Sequence, residues 1–182
     1  TGDPFSGPAE PQNSGNGSLM RLAPVPMFFF PNRDAMIFWS AESSRTTHGS
    51  KECLDACRFL ASILFNAFSG MDKERVLFDH DEKILESADI LDIVRGAYRK
   101  KREAQIKGSG YVVRSLEAAL WCFLKTDSYR DAVLNAANLG DDADTTAAIC
   151  GQISGAFYGA LGIPAPWLQR LCLHEEIVEL AV

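Results

Sequence analysis

The sequence is poor in the residues that build zinc sites and disulfide frameworks. Its 182 residues include 3 His and 5 Cys, and no two cysteines have the Cys-x-x-Cys spacing. An odd number of cysteines without that spacing argues against a disulfide framework and favours a reducing cytoplasm. Cys53 and Cys57 lie one helical turn apart, which fits either a metal pair or buried apolar packing, and packing is the more common outcome.

Positive charge is also scarce. Lys and Arg total 18 against 24 Asp and Glu, which gives a formal net charge of -6. This balance provides no electrostatic footprint for nucleic acid or an anionic membrane, so we expect neither as a partner. If a phosphorylated ligand binds, its charge must be neutralised locally by backbone amides, an Arg or divalent cations.

A convincing membrane span is lacking as well. The stretch of residues 145–166 contains no charged side chain and carries Gly151, Gly155 and Gly159 at the four-residue spacing of packed membrane helices. Polar residues dilute its hydrophobicity, Gly162 and Pro164 shorten it, and no other segment is comparable. The pattern therefore predicts a central buried helix that neighbouring helices cross closely.

The sequence does contain apolar residues at helical spacing, and this pattern predicts an all-α fold. Residues 1–18 are rich in Gly and Pro and predict loop or extended chain, and prolines in residues 19–31 leave at most short helical turns. The first long helix is expected after Ser50 and ends near Gly70, and the charged residues 71–83 predict a surface connection. Further helices are expected over residues 87–104, over 111–125, after Ser128 and after the acidic cluster at 141–144.

The motif GDDADTT, residues 140–146, places three carboxylates and two hydroxyls at the start of an apolar helix. Such crowding is costly unless something neutralises the negative charge. Oxygen ligands of this kind suit Mg²⁺, Mn²⁺ or Ca²⁺, but Asp and Thr are also favoured helix caps. Capping explains one Asp and leaves charge to spare, so the residues alone leave both explanations open.

Two weaker motifs suggest an anion or ribose site. In SGNGSLMR, residues 14–21, glycines flank Asn16, so consecutive amides can turn toward a phosphate or ribose, with Ser18 and Arg21 as further donors. An ordinary Asn-Gly turn is the alternative. His48 precedes a predicted helix whose amino end could face an anion, although a lone His is usually structural.

Five segments occur in an order that resembles the ADP-ribosylglycohydrolases: SGNGSLMRLAP, TTH, GSGYVVRSLEAALW, NLGDDADTTAAICGQISGAFYG and IPAPW. This family includes the dinitrogenase-reductase-activating glycohydrolase and the ADP-ribosylarginine and ADP-ribosylserine hydrolases. The resemblance implies a compact orthogonal all-α domain with a centre of two Mg²⁺ or Mn²⁺ ions. It also implies hydrolysis of the N-glycosidic bond between ADP-ribose and a protein side chain, with arginine expected because the pattern is closest to the bacterial branch.

Position by position, the resemblance assigns metal ligands to Asp142, Asp144 and Thr145. The implied ADP-ribose site consists of Gly15, Asn16, Gly17, Ser18, His48, Gly108, Ser109, Gly110 and Tyr111. The family places a Thr-Asp-Asp-Thr metal-binding run and an acidic residue near the substrate upstream of the SGNGS motif, and the chain contains neither there. No catalytic residue is therefore assigned within the chain.

The absence of that upstream motif implies that residues 1–182 are the carboxyl-terminal portion of one domain, without its amino-terminal helices. Three explanations stay open for such a chain. The amino-terminal segment was removed, or it is present as a separate chain that completes the site. Otherwise the chain is a natural truncation that binds ADP-ribose or an ADP-ribosylated protein as a pseudoenzyme or non-catalytic fragment.

Overall fold

The computed structural model describes residues 2–180, and within that range it contains helices and no strand. The all-α prediction is confirmed. In the described range the α-helices are α1 Gly17–Met20, α2 Pro24–Phe29, α3 Arg33–Arg45, α4 Lys51–Phe68, α5 Lys73–Phe78, α6 Ala88–Val94, α7 Val112–Leu124, α8 Tyr129–Asn138, α9 Ala143–Tyr158, α10 Ala165–Leu168 and α11 His174–Leu180. Short 3₁₀ turns lie at Pro11–Asn13, Glu82–Ile84, Glu103–Gln105 and Ala160–Gly162.

The core forms where α4, α7 and α9 pack against one another. Helix α3 covers α4, α8 covers α9, and α5 and α6 each contact both α4 and α7. The buried apolar side chains of the three central helices include Phe59, Leu60, Ile63, Leu64, Leu116, Leu120, Trp121, Phe123, Ile149 and Ile153. The acidic cluster lies at the amino end of α9. This arrangement holds it against the loop that contains residues 14–18.

The caps predicted for two helices are present. The Ser50 hydroxyl accepts a hydrogen bond from the backbone N of Cys53 at 3.3 Å, and the Ser128 hydroxyl accepts from the backbone N of Asp131 at 3.0 Å. Each satisfies an amide that the first helical turn leaves without a partner.

The prediction that the first long helix follows Ser50 is wrong, because α3 precedes it. The Asn32 side chain caps α3 by accepting from the backbone N of Ala35 at 3.1 Å. The buried residues of α3 are Met36, Ser40, Ala41 and Ser44. Small and polar residues on the buried face leave no apolar stripe in the sequence, which is why the helix was not predicted.

The segment between α4 and α7 also differs from the prediction. Residues 71–83 were expected to form a surface connection, but they contain α5, whose Val76 and Leu77 are buried. The helix expected over residues 87–104 is only α6, because Gly96 adopts a φ of 80° beyond its end and Tyr98 then turns into the core. Left-handed backbone at a glycine is a common way to end a helix.

The cysteines are free, and all except Cys172 are buried. Burial raises the pKa of the Cys57 thiol to about 12, so Cys57 serves as a small apolar side chain in the core. None of the helices in residues 2–180 combines the length and apolar character needed to span a bilayer.

Asp55, in α4, is a fully buried carboxylate that holds the start of α6. Its Oδ2 accepts from the backbone N of Glu86 and of Ser87 at 2.7 and 2.6 Å, and its Oδ1 accepts from Arg58 Nη1 at 2.7 Å. Removing the carboxylate would leave a guanidinium and two amides without their buried acceptor.

We therefore expect Asp55→Ala to lower the free energy of unfolding by about 3–5 kcal/mol. Urea denaturation followed by circular dichroism measures this change. The control is Asp92→Ala on the exposed face of α6, which should stay within about 0.5 kcal/mol of the parent protein. Equal effects of the two substitutions would contradict the role given to Asp55.

His80 links α5 to α3 and α4. Its Nε2 donates to the carbonyl of Val76 at 2.9 Å, which leaves Nδ1 to accept from the Ser62 hydroxyl at 2.8 Å, and Arg33 Nη2 donates to the same hydroxyl at 3.1 Å. Burial lowers the pKa of His80 to about 4, so the folded protein holds the ring neutral.

Because the unfolded chain protonates this ring near pH 6.5, stability should fall as the pH drops from about 6.5 toward 4. The contribution of His80 to that loss is about 3 kcal/mol in total. Urea denaturation at pH 7, 6 and 5 measures it, with His80→Gln as the variant that lacks the titrating group. The same pH dependence in parent and variant would refute the assignment.

Candidate functional site

Three segments that are distant in the sequence meet at the amino end of α9. The backbone N of Asn16 donates to the carbonyl of Gly110 at 3.1 Å, and the backbone N of Val112 donates to the carbonyl of Ser14 at 3.0 Å. The backbone N of Asp142 donates to the carbonyl of Gly108 at 2.7 Å. These bonds lay the SGNGS loop, residues 14–18, beside the GSGY loop, residues 108–111, and place both against the acidic cluster.

The Asn16 side chain joins the two loops to that cluster. Its Nδ2 donates to Asp142 Oδ2 at 2.7 Å and to Ser115 Oγ at 2.8 Å. The Asn16 amide, followed by smaller contributions from Thr145 and Asp144, outweighs partial desolvation and lowers the pKa of Asp142 below its usual value. Asp142 is therefore a firmly ionised carboxylate at neutral pH.

Asp142 occupies the cap position of α9, but its side chain does not accept a hydrogen bond from the first turn of that helix. Gly140 and Asp141, with φ of 75° and 54°, turn the chain sharply into the helix. Helix capping therefore does not account for the Asp142 carboxylate, although the sequence had left that explanation open.

The donors in this cluster fit a hard divalent cation. Asp142 and Asp144 offer carboxylate oxygens, and the Thr145 hydroxyl lies 3.8 Å from Met20 Sδ, a weak partner that an ion could readily replace. Among residues 2–180 no three His, Cys, Asp or Glu side chains are grouped closely enough to hold an ion. The described side chains therefore do not form a complete set of metal ligands by themselves.

His48 lies against the SGNGS loop because that loop has glycines where the ring approaches. A Cβ on Gly17 would lie 2.9 Å from His48 Cε1, and one on Gly15 would lie 3.2 Å from Nε2. Partial burial, assisted by the Arg21 cation, lowers the pKa of His48, so the ring is largely uncharged at pH 7. Arg21 Nη2 and His48 Nδ1 both bond to the Thr47 hydroxyl, at 2.7 and 2.8 Å.

The implied ADP-ribose residues divide into two groups in the structure. The partly or fully exposed residues are Gly15, Gly17, His48, Ser109, Gly110 and Tyr111. Asn16, Ser18 and Gly108 are buried. The Ser18 hydroxyl accepts from Ser44 Oγ at 2.9 Å and from Cys57 Sγ at 3.7 Å, and a Cβ on Gly108 would lie 2.8 Å from Thr146 Oγ1.

Two supporting residues were not predicted from the sequence. Ser115, in α7, accepts from Asn16 and donates to the carbonyl of Ser109 at 2.7 Å. Gln152, in α9, donates from Nε2 to the carbonyls of Leu19 and Met20 at 3.1 and 2.9 Å and accepts from the backbone N of Ala23 at 2.7 Å. A long amide side chain among residues 145–158 of α9, which carry no charge, was the available signal for Gln152.

Comparison with known proteins connects this geometry to a family. The model of the ADP-ribosylglycohydrolase family matches residues 2–182. The ADP-ribosylarginine hydrolase Tri1 of Serratia proteamaculans is 39% identical over 180 residues, which cover 99% of this chain and 49% of that protein. The protein of the same name from Pseudomonas putida is 39% identical over 177 residues, which cover 97% and 47%.

A solved structure described as an ADP-ribosylglycohydrolase-related protein complex shares the fold, with a TM-score of 0.90 and 37% sequence identity. The match covers 100% of this chain and 62% of the other. The chain spans about half the length of the two Tri1 proteins. On the family match and on these identities, the chain belongs to the ADP-ribosylglycohydrolase family.

Proposed function

We propose that this chain forms one wall of an active site that removes ADP-ribose from modified arginine side chains by metal-dependent hydrolysis. The observation that carries the proposal is the ionised Asp142, held by Asn16 beside Asp144 and Thr145 where two glycine-containing loops meet. Arginine is the proposed modified residue because two relatives at 39% identity are named ADP-ribosylarginine hydrolases.

In this proposal Asp142, Asp144 and Thr145 hold Mg²⁺ or Mn²⁺, and the remaining ligands come from outside these 182 residues. When bound, the two ions would orient the ribose and stabilise the charge that develops as the glycosidic bond breaks. Because the pKa of Asp142 is lowered, this carboxylate is a weak base and is better suited to binding a cation than to accepting a proton.

The surface beside the acidic cluster suits ADP-ribose. Gly15 and Gly17 are partly exposed, residues 109–111 are partly or fully exposed, and the ring of His48 borders the two glycines. The diphosphate needs local positive charge in a protein with a net charge of -6. Arg21, which is exposed and bonded to Thr47 beside His48, is placed to supply it.

The proposed reaction is a simple hydrolysis. A water oxygen bonds to the anomeric carbon of the ribose, the bond from that carbon to the arginine nitrogen breaks, and the departing guanidine takes up a proton. The task of the described residues is to hold the ribose still and to keep the acidic cluster ionised. The acidic residue that activates the water belongs, in this proposal, to a segment outside the chain.

A second candidate function is binding of ADP-ribose without cleavage. It is favoured by one observation, namely that the acids, histidines and cysteines of residues 2–180 do not form a three-ligand metal group. A protein with this function would recognise ADP-ribose through the same loops and release no product.

For the metal we expect Asp142→Asn to weaken Mg²⁺ or Mn²⁺ binding by about 100-fold or more, because one ionised ligand is lost. Isothermal titration calorimetry measures this affinity. Asp141→Asn is the matched control: it removes the same charge one residue away, and Asn tolerates the left-handed backbone at that position. Equal affinities of the two variants would remove Asp142 from the ligand set.

For the reaction we expect ADP-ribose release from an ADP-ribosylarginine peptide in the presence of Mg²⁺ or Mn²⁺, and no release in EDTA. The assay is run on the chain with and without any upstream segment that its gene encodes, with product measured by chromatography. Release that persists in EDTA would refute metal dependence. Binding of ADP-ribose with no release from either form would support the second candidate.

A further inference from the structure

We infer that Asn16 is a positioning residue for Asp142 and not a contact for ADP-ribose. The inference rests on the proposed function, because it assigns a purpose to Asn16 within the proposed metal site. Its basis is the hydrogen bonding of the Asn16 side chain, which lies inside the protein and is 8% exposed.

Both hydrogens of the Asn16 amide are used within the protein. One donates to Asp142 Oδ2 at 2.7 Å and the other to Ser115 Oγ at 2.8 Å, with the carbonyl of Ser109 at 3.4 Å as a longer third neighbour. The Ser115 hydroxyl donates in turn to that carbonyl at 2.7 Å, so its oxygen is free to accept from Asn16. An amide has two hydrogens, so Asn16 Nδ2 has none left to donate to a nucleotide.

The orientation of this amide follows from the chemistry of its neighbours. If nitrogen and oxygen were exchanged, the Asn16 oxygen would face the Asp142 carboxylate, and two acceptors would repel each other. The NH₂ group must therefore point at Asp142. A hydrogen bond to an ionised acceptor is short and strong, in keeping with the 2.7 Å separation.

The backbone of Asn16 is fixed as firmly as its side chain. Its N donates to the carbonyl of Gly110 at 3.1 Å, and its carbonyl accepts from the backbone N of Leu19 and of Met20 at 3.0 and 3.1 Å. Asp142 is anchored independently by the bond from its N to the carbonyl of Gly108 at 2.7 Å. A rigid donor thus holds a carboxylate whose backbone is also held, which fixes the rotation of its side chain.

This restraint bears on how Asp142 meets a cation. Asp142 Oδ2 accepts the hydrogen bond from Asn16, and Oδ1 takes no hydrogen bond from Asn16, so Oδ1 is available to a cation. Without Asn16 the carboxylate could rotate, and a cation would have to order it on binding. Asn16 thus fixes the orientation of the Asp142 carboxylate before a metal ion binds.

The test is the affinity for Mn²⁺, measured by electron paramagnetic resonance of the free ion in the protein with any upstream segment that its gene encodes. We expect Asn16→Ala to weaken it by about 10–100-fold, the usual effect of removing a residue that orients a metal ligand. Asn13→Ala is the matched control, because Asn13 lies three residues away and its side chain bonds to the exposed Glu10 at 3.1 Å. That control should keep the parental affinity.

A double-mutant cycle separates positioning from direct substrate contact. Asn16→Ala should have little further effect on Mn²⁺ affinity in an Asp142→Asn protein, since it acts through Asp142. If Asn16 instead contacts the nucleotide, Asn16→Ala leaves Mn²⁺ affinity unchanged and weakens metal-free binding of ADP-ribose. That result overturns the inference.

Two further outcomes are distinguishable. If circular dichroism shows that Asn16→Ala does not fold, Ser115→Ala replaces it. This substitution removes the acceptor of one Asn16 amide hydrogen and should weaken Mn²⁺ binding measurably, by less than about 10-fold. An unchanged affinity overturns the inference. If the parent chain and Asp142→Asn bind Mn²⁺ equally, the proposed metal site itself fails. If the parent binds Mn²⁺ and Asn16→Ala binds it with the same affinity, only the role of Asn16 is refuted.

Discussion

The hydrogen bond from Asn16 to Asp142 is the contact on which the candidate site depends, because it joins a loop at the beginning of the chain to a helix near its end. Gln152 strengthens the same connection about three turns further along α9, where it bonds to the backbone at the end of α1 and the start of α2. Helix α9 therefore carries the acidic cluster and also holds the SGNGS loop, which orients Asp142. The SGNGS loop cannot move without disturbing the acidic cluster.

Close packing of backbone against side chain shapes the rest of this surface. The edge of His48 lies on Gly15 and Gly17, and Thr146 approaches Gly108. These glycines serve less as flexible hinges than as places where another group must come near. Because the protein as a whole is acidic, any attraction for a diphosphate has to come from such local features and from Arg21.

The sequence predicted α4 and α7 from their apolar stripes. It predicted α8 from the capping Ser128, and α9 from an uncharged stretch after the acidic cluster. It did not predict α3, whose buried face is small and polar, or α5, which buries only two apolar residues. At the site, composition and family resemblance identified Asn16 and Asp142 as candidates. Their mutual bond and the burial of Ser18 depend on tertiary packing, which no local pattern encodes.

Asn16 and Asp142 are separated by 126 positions in the chain, and Gln152 meets Leu19 across 133. Closing such a loop costs conformational entropy before any contact forms, whereas α4 can fold from its own residues and then recruit its neighbours. We therefore expect the helical core to form first and the contacts between the first loop and α9 to form last during folding. A partly folded chain would contain most of its helices and yet lack the arrangement of the candidate site, so that arrangement would report completion of the whole fold.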